Sequence, residues 1–290
     1  MKKHFSIRDF FDDPALPLAV HRRTAQRPKE LHTHGFSELV LVLGGTAVHF
    51  TEEDEHSISK GDAFVIQGEL AHGYRNSNNL SLINLMFDQK RLNLPAADLR
   101  SMPGYHALFT LEPQYRRRHR FASRLQLDEG QLAQAAALAG QLENEAKARH
   151  AGYVFTSTAL FMQLIAFLAR CYDGEKTPES RTLLRIGAAI GYLEEHFHEP
   201  VQLTQLTQIA GMSESSLLRA FKQATDRTPI GYLLHLRIQR ARELLLRTDL
   251  NITEIAFETG FNDSNYFSRQ FRALMNQSPQ KYRKENRRDS

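Results

Sequence analysis

The chain has 290 residues, 41% of them hydrophobic, a formal net charge of +4 and one cysteine, Cys171. That length predicts two domains, each able to bury its own core, and the lone cysteine excludes a disulfide framework and fits a reducing compartment. Met1-Lys2-Lys3-His4-Phe5 has no apolar run behind it, and no stretch approaches the roughly 18 consecutive apolar residues of a membrane helix, so a cytoplasmic protein with no membrane partner is expected.

Residues 1–30 are poorly periodic and read as an arm with one strand near residues 18–21. From Leu31 the chain turns to short apolar or β-branched runs at 38–43, 46–51, 57–58, 63–66 and 80–87, with Gly44-Gly45 and Lys60-Gly61-Asp62 marking turns. This spacing predicts an all-β barrel or sandwich.

Within it stands His32-x-His34-x3-Glu38-x6-Gly45, then Gly61, His72 and Asn76. His32 and His34, two apart on an extended segment, share one face, and Glu38 joins them from the next strand start. His72 is expected from a strand across the barrel. Three imidazoles and a carboxylate suit a divalent first-row metal. The same groups, without metal, would hydrogen-bond a sugar-like ligand, and both readings stay open. The pattern resembles the two cupin motifs, with every ligand position filled. Gln26, Gln67 and Glu69 stand where those motifs have glycine, proline and glycine. The resemblance implies a cupin-like barrel whose effector pocket or metal site is built from His32, His34, Glu38 and His72.

Residues 90–120 read as a connector, and Arg116-Arg117-Arg118-His119-Arg120 as a solvated surface run. From Asp128, Leu132, Ala135, Ala136, Ala139 and Leu142 mark one face of a helix ending near Arg149. A second helix, about 156–172, is apolar almost all round and needs burial on more than one side, against the barrel, the first helix or a second subunit. The polar stretch 173–180 reads as a linker. It divides the chain into residues 1–172, the linker, and residues 181–290, the last part opening with a helix at 184–196.

The stretch from Leu203 to Tyr282 repeats itself. Arg219-x-Phe221-Lys222-x3-Asp226-x-Thr228-Pro229-x2-Tyr232 overlays Arg269-x-Phe271-Arg272-x3-Asn276-x-Ser278-Pro279-x2-Tyr282, fifty residues on. Each copy follows a short apolar helix signal and a glycine, Gly211 or Gly260, which together read as helix-turn-helix. Between them Ile230, Leu234, Ile238, Ala241 and Leu245 mark one face of a connecting helix, a strut holding the two units apart. The recognition helices are expected at 214–223 and 263–273. Ser215, Ser216, Leu218 and Arg219, then Ser264, Asn265, Ser268 and Arg269, should face double-stranded DNA, with Leu217, Phe221, Phe267 and Phe271 in the core. Arginine pairs with guanine and asparagine with adenine in the major groove, while phosphate contacts remain the alternative for each. Residues 181–290 hold 16 Lys+Arg and 12 Asp+Glu, whereas residues 1–180 hold 21 of each, so the positive excess lies entirely in the repeat-bearing half.

Ile255-Ala256-x3-Gly260-Phe261-x-Asp263-x-Asn265-Tyr266-Phe267-Ser268-Arg269-x-Phe271, closed by Ser278-Pro279-x2-Tyr282, resembles the signature of the AraC/XylS family of transcriptional regulators. Asp226 and Asn276 stand where that family usually has glycine. They are the non-glycine residues that best tolerate a left-handed backbone. The order of residues 30–90, with Leu160-Phe161-Met162-Gln163-Leu164, is similar to the sensor domains of the L-rhamnose regulators within that family. The resemblance implies an α+β multidomain fold: a cupin-like effector-sensing barrel with a helical dimerisation segment, and an all-α unit with two helix-turn-helix repeats. It also implies a regulator, in the activator sense, that binds double-stranded DNA and a small sugar such as L-rhamnose, forms a homodimer and meets RNA polymerase. The alternatives are a cupin sugar enzyme with an accessory helical domain and a nucleoid-type architectural protein.

Overall fold

The computed structural model describes residues 3–11, 13–89, 91–92, 97–116, 125–174 and 177–287. The chain forms two compact units, Met1–Gly187 and Ala188–Ser290.

Among the described residues of the first unit, eight strands make one sheet folded on itself without closing. They are β1 (Lys3–Phe5), β2 (Leu18–Arg23), β3 (Lys29–His34), β4 (Ser37–Thr51), β5 (Glu55–Ser59), β6 (Asp62–Ile66), β7 (His72–Phe87) and β8 (Leu125–Gln126). The long antiparallel pair β4–β7 is its spine. β5 and β6 flank β4, while β2 and β3 flank β7. This is a cupin-like jelly roll.

The two strands expected at 38–43 and 46–51 are one. Gly44-Gly45 is a bulge rather than a hairpin turn, with the β4–β7 register shifting on both sides of Gly44. Gly45 takes φ +72, and a Cβ there would lie 2.2 Å from the Asn79 carbonyl oxygen, so only glycine fits. Asn76 and Asn79, both at positive φ, bend the facing stretch of β7. Such bulges let a strand pass from one layer to the next.

Alternation then sorts the side chains. Val40, Val42, Ala47, Ile58, Phe64, Ile66, Tyr74, Leu80 and Leu82 pack as one buried cluster between the layers. Leu39, Leu41, Ile83 and Leu85, on the opposite face of β4 and β7, are also fully buried.

Short helices α1 (Ala97–Arg100), α2 (Pro103–Tyr105) and α3 (Glu112–Arg116) and a π-helical turn, His106–Leu111, occupy the segment read as a connector. Its Ala107, Leu108 and Leu111 are wholly buried. A six-residue apolar run carries too little periodicity to announce this from sequence. The arginine-rich run beyond Arg116 lies outside the described residues. Likewise β1, three residues long, exists through its parallel pairing with β3.

Helix α4 (Glu129–Ala148) starts on an Asp128–Gln131 capping box. Helix α5 (Tyr153–Asp173) packs along it. By length and a mean hydropathy of 1.6 α5 is apolar enough to cross a membrane. Thr156, Ser157, Thr158, Gln163 and Arg170 interrupt the apolar run, and Phe161, Leu164, Ile165 and Leu168 are buried core residues. The stretch read as a linker, 173–180, holds the last residue of α5 and the first turn of α6 (Pro178–Glu195), where Thr177 Oγ1 accepts from the Ser180 N–H.

The second unit continues with α7 (Leu203–Ala210), α8 (Glu214–Thr225), α9 (Pro229–Arg247), α10 (Ile252–Glu258), α11 (Ser264–Met275) and α12 (Pro279–Asn286). The repeat is structural as well as sequential. Ser213 and Asp263 cap α8 and α11 through side-chain oxygens. Thr228 and Ser278 cap α9 and α12, each followed by proline at the first helical position. Leu217, Phe221, Phe267 and Phe271 are fully buried, as expected. Helix α9 has 19 residues, hence a length of roughly 28 Å. Its Ile238, Ala241 and Leu245 join the core of the second helix-turn-helix. Ile230, read as part of that face, is 46% exposed, and Leu233 is buried instead.

Candidate functional site

Two places in the chain collect chemistry. The first is the exposed face of α8 and α11. Ser215, Arg219, Asn265 and Arg269 are exposed, and Ser216, Leu218, Ser264 and Ser268 half-exposed, on the side opposite the buried phenylalanines. The Ser216 hydroxyl is partly committed to its own helix cap, accepting from Ser213 Oγ at 2.9 Å. The Arg269 guanidinium lies 5.9 Å from the Tyr266 ring centroid. Other cations of this unit are spent on structure. Arg237 donates to the carbonyls of Phe197 and Glu199, both at 2.7 Å. Arg283 donates to those of Leu245 and Leu250. Sequence spacing carries no sign of this sorting.

The second place is inside the jelly roll. His32 pairs in register with His72 across β3 and β7, so His72 comes from the neighbouring strand rather than from across the barrel. A hydrogen-bonded ladder holds those two rings 4.3 Å apart, centroid to centroid. His34, two residues on, faces the same way, and Glu38 enters from the start of β4. Glu38 Oε1 lies 3.6 Å from His34 Nε2, and Oε2 lies 3.7 Å from His72 Nε2. One ligand atom from each of His34, Glu38 and His72 falls within 4.8 Å of the others, and all three residues are buried. His32 abuts this trio without joining its ligand set.

The rings are fixed by their other nitrogen. Nδ1 of His32, His34 and His72 lies 3.0, 2.7 and 3.0 Å from the carbonyls of Glu30, Phe36 and Leu70. A carbonyl only accepts, so each Nδ1 carries a proton and Nε2 is the ring atom left to other partners. Burial, with the charge of His72 second, holds His32 down to about 4, and burial likewise lowers His34. Burial pushes Glu38 up, but His72, His34 and Lys29 outweigh it and leave the carboxyl at about 2. The imidazoles of His34 and His72 turned on the Glu38 carboxylate, with Nε2 of both lacking hydrogen-bond partners among the described residues, form a donor set that suits a cation.

Sequence reasoning assigned no site role to His49 and Tyr74. They pair in register on β4 and β7, both buried, and the His49 ring stacks 5.6 Å from His72. Only the register of the bulged pair brings them there. Outside the cluster, Phe36 stacks on His34 at 4.2 Å and helps line a polar groove of about 360 Å³ with Ser37, Gln67, Glu69, Asp88 and Gln89. Glu69, in place of a motif glycine, keeps a glycine-like φ of 68° there.

A jelly roll with an enclosed polar cluster, in one chain with two helix-turn-helix repeats, defines the class of proteins that join a ligand-binding domain to DNA-binding helices. Residues 17–151 match the AraC-like ligand binding domain and residues 206–285 a helix-turn-helix domain. The chain is 32% identical over 285 residues to the HTH-type transcriptional activator RhaS of Escherichia fergusonii, covering 98% of this chain and 97% of that one. It is 28% identical over 278 residues to the HTH-type transcriptional activator RhaR of Mannheimia succiniciproducens, covering 96% and 95%. An AraC-type regulator structure from Chromobacterium violaceum shares 30% identity over 37% of this chain and 95% of its own, with a TM-score of 0.35. The chain belongs to the AraC family of DNA-binding transcriptional regulators.

Proposed function

We propose that this regulator activates transcription in response to a small sugar, with a 6-deoxyhexose such as L-rhamnose the first candidate. The observation that carries the reading is the enclosed histidine–carboxylate cluster beside a groove large enough for a monosaccharide, in the same chain as two DNA-binding repeats. The likeness of residues 30–90 to L-rhamnose sensor domains supports the choice of sugar. The names of the RhaS and RhaR relatives support the activator sense. Effector binding shifts the sensor toward the arrangement it prefers, and by linkage the factor by which effector changes DNA affinity equals the factor by which DNA changes effector affinity.

On this reading residues 1–172 sense effector and dimerise through α4 and α5, residues 173–180 link, and residues 181–290 bind DNA. Ser215, Ser216, Leu218, Arg219, Ser264, Asn265, Ser268 and Arg269 meet the duplex, RNA polymerase is the further partner, and the protein works in the cytoplasm without catalysing a reaction. The sugar-enzyme alternative draws no support from relatives that cover the chain end to end and are regulators.

Gel shifts on specific and scrambled DNA, with and without a panel of pentoses, hexoses and 6-deoxyhexoses, test the reading. Specific binding that strengthens only with a sugar is expected. Sugar turnover without selective DNA binding would restore the enzyme, and selective binding indifferent to every sugar would remove the sugar.

A further inference from the structure

We propose that a cavity between β2 and the end of α4 binds a small phosphate monoester through the guanidiniums of Arg22 and Arg149. The cavity measures about 310 Å³, and none of the clustered histidines lines it. That volume is at the lower end of the range for small-ligand sites. Half of the residues around it are ionisable, and they come from three separate stretches: Asp13 before β2, Arg22 on β2, and Glu143, Lys147 and Arg149 at the end of α4. These groups are unevenly engaged. The Asp13 carboxylate accepts from the Tyr153 hydroxyl and, at 2.8 Å, from the Ala15 N–H. Glu143 accepts from Lys147 at 2.6 Å. Arg22 stops 3.6 Å from Glu143 and Arg149 stops 4.0 Å from Asp13, and among the described residues neither guanidinium makes a hydrogen bond. The acceptors are taken and the donors are open, so the cavity selects a ligand rich in acceptors, an anion.

The backbone at Arg149 is a second observation. Arg149 closes α4 in the left-handed region, at φ 51° and ψ 39°. Elsewhere in the chain that place falls to Gly211, Asp226 and Asn276, the residue types that tolerate it. Arginine has no such local reason, and a backbone held against its preference points to a side chain in use. Here the side chain in use lines the cavity. Lys147 and Arg149 also offset the carbonyl end of α4, which alone would repel an anion. The two open guanidiniums then set the class of ligand. A monocarboxylate fills one of them. The three terminal oxygens of a phosphate monoester carry nearly two negative charges at neutral pH and can be shared between both. The rest of the wall includes Phe10, Leu16 and Val20, whose carbon surface suits a small organic body rather than a further charge. The site stands whichever effector the jelly roll takes.

The test is calorimetry on full-length protein in phosphate-free buffer, titrated with glycerol 3-phosphate and glucose 1-phosphate and, for comparison, with inorganic phosphate, glucose and succinate. One monoester per chain is expected, with the three comparison ligands at least about tenfold weaker. Arg22→Gln and Arg149→Gly should each weaken monoester binding by about tenfold or more, the loss of charge-assisted hydrogen bonds. Arg149→Gly should also melt no lower than wild type, because glycine takes the left-handed conformation without strain. Lost binding without lost stability is what a merely structural arginine would not show. If Arg149→Gly lowers the thermal midpoint, Arg22→Gln decides, and unchanged binding in that variant overturns the site. No saturable binding of either monoester to wild type overturns it as well. Binding that persists in both variants belongs to another surface, such as the DNA-facing arginines, and does the same. Glucose or succinate bound as tightly removes the phosphate class, and inorganic phosphate bound as tightly removes the monoester.

Discussion

Asp226 and Asn276, fifty residues apart, close α8 and α11 in the same left-handed conformation, at φ 61°, ψ 6° and φ 57°, ψ 15°. Each N–H returns to the carbonyl four residues back, at Lys222 or Arg272. The conformation strains an L-residue by about 1–2 kcal/mol and suits glycine. Asn276→Ala should therefore cost roughly 1 kcal/mol, and Asn276→Gly should be neutral or slightly stabilising. Urea titrations followed by circular dichroism check this, and equal destabilisation by both substitutions would refute it.

Arg219 and Arg269 hold equivalent exposed places, each two residues after one buried side chain and two before another. Replacing either with alanine should weaken specific DNA binding by about 1–3 kcal/mol and relax preference at different bases, about one helical turn apart. Binding assays against a randomised site read this out. A loss that is uniform over all sequences, with a shallower salt dependence, would make them phosphate contacts instead.

Phe267 and Phe271 lie edge-to-face at 5.7 Å in the core of the second helix-turn-helix. Truncating either to alanine should cost about 3–5 kcal/mol through lost burial and a residual cavity. DNA binding should fall with the folded fraction, as thermal melts and gel shifts on one preparation would show. Full helicity with a cost under about 1 kcal/mol would mean the repeat core is not what holds this unit together.

Burial, reinforced by the charges of Arg227 and Arg242, lowers the His235 pKa below its ordinary 6.5. As pH falls through 6.5 the unfolded chain takes up this proton before the folded one does, so stability is present above that pH and declines below it. His235→Gln should flatten the decline between about pH 6.5 and 5 relative to wild type. Because the chain has no tryptophan, circular dichroism is the probe. Parallel pH profiles for the two proteins would contradict the assignment.

What the sequence by itself determined is what short-range physics writes. Both helix-turn-helix units and the buried Leu217, Phe221, Phe267 and Phe271 follow from spacing, whereas the helix starts set by caps such as Asp263, read as the first residue of its helix, are not legible there. The shared face of His32 and His34 follows from the two-residue period of a strand. What only the tertiary structure decided depends on partners far away in sequence. The fusion of two expected strands into β4 rests on Gly45 meeting Asn79. The placing of His72 beside His32, and of Glu38 between His34 and His72, rests on which strands pair and in which register. The division of arginines into those bound to carbonyls, Arg237 and Arg283, and those left on an open face, Arg219 and Arg269, rests on which loops pass beside α9 and α12. A side chain's residue type and local period set its direction; what it meets there is fixed only when the rest of the chain has packed.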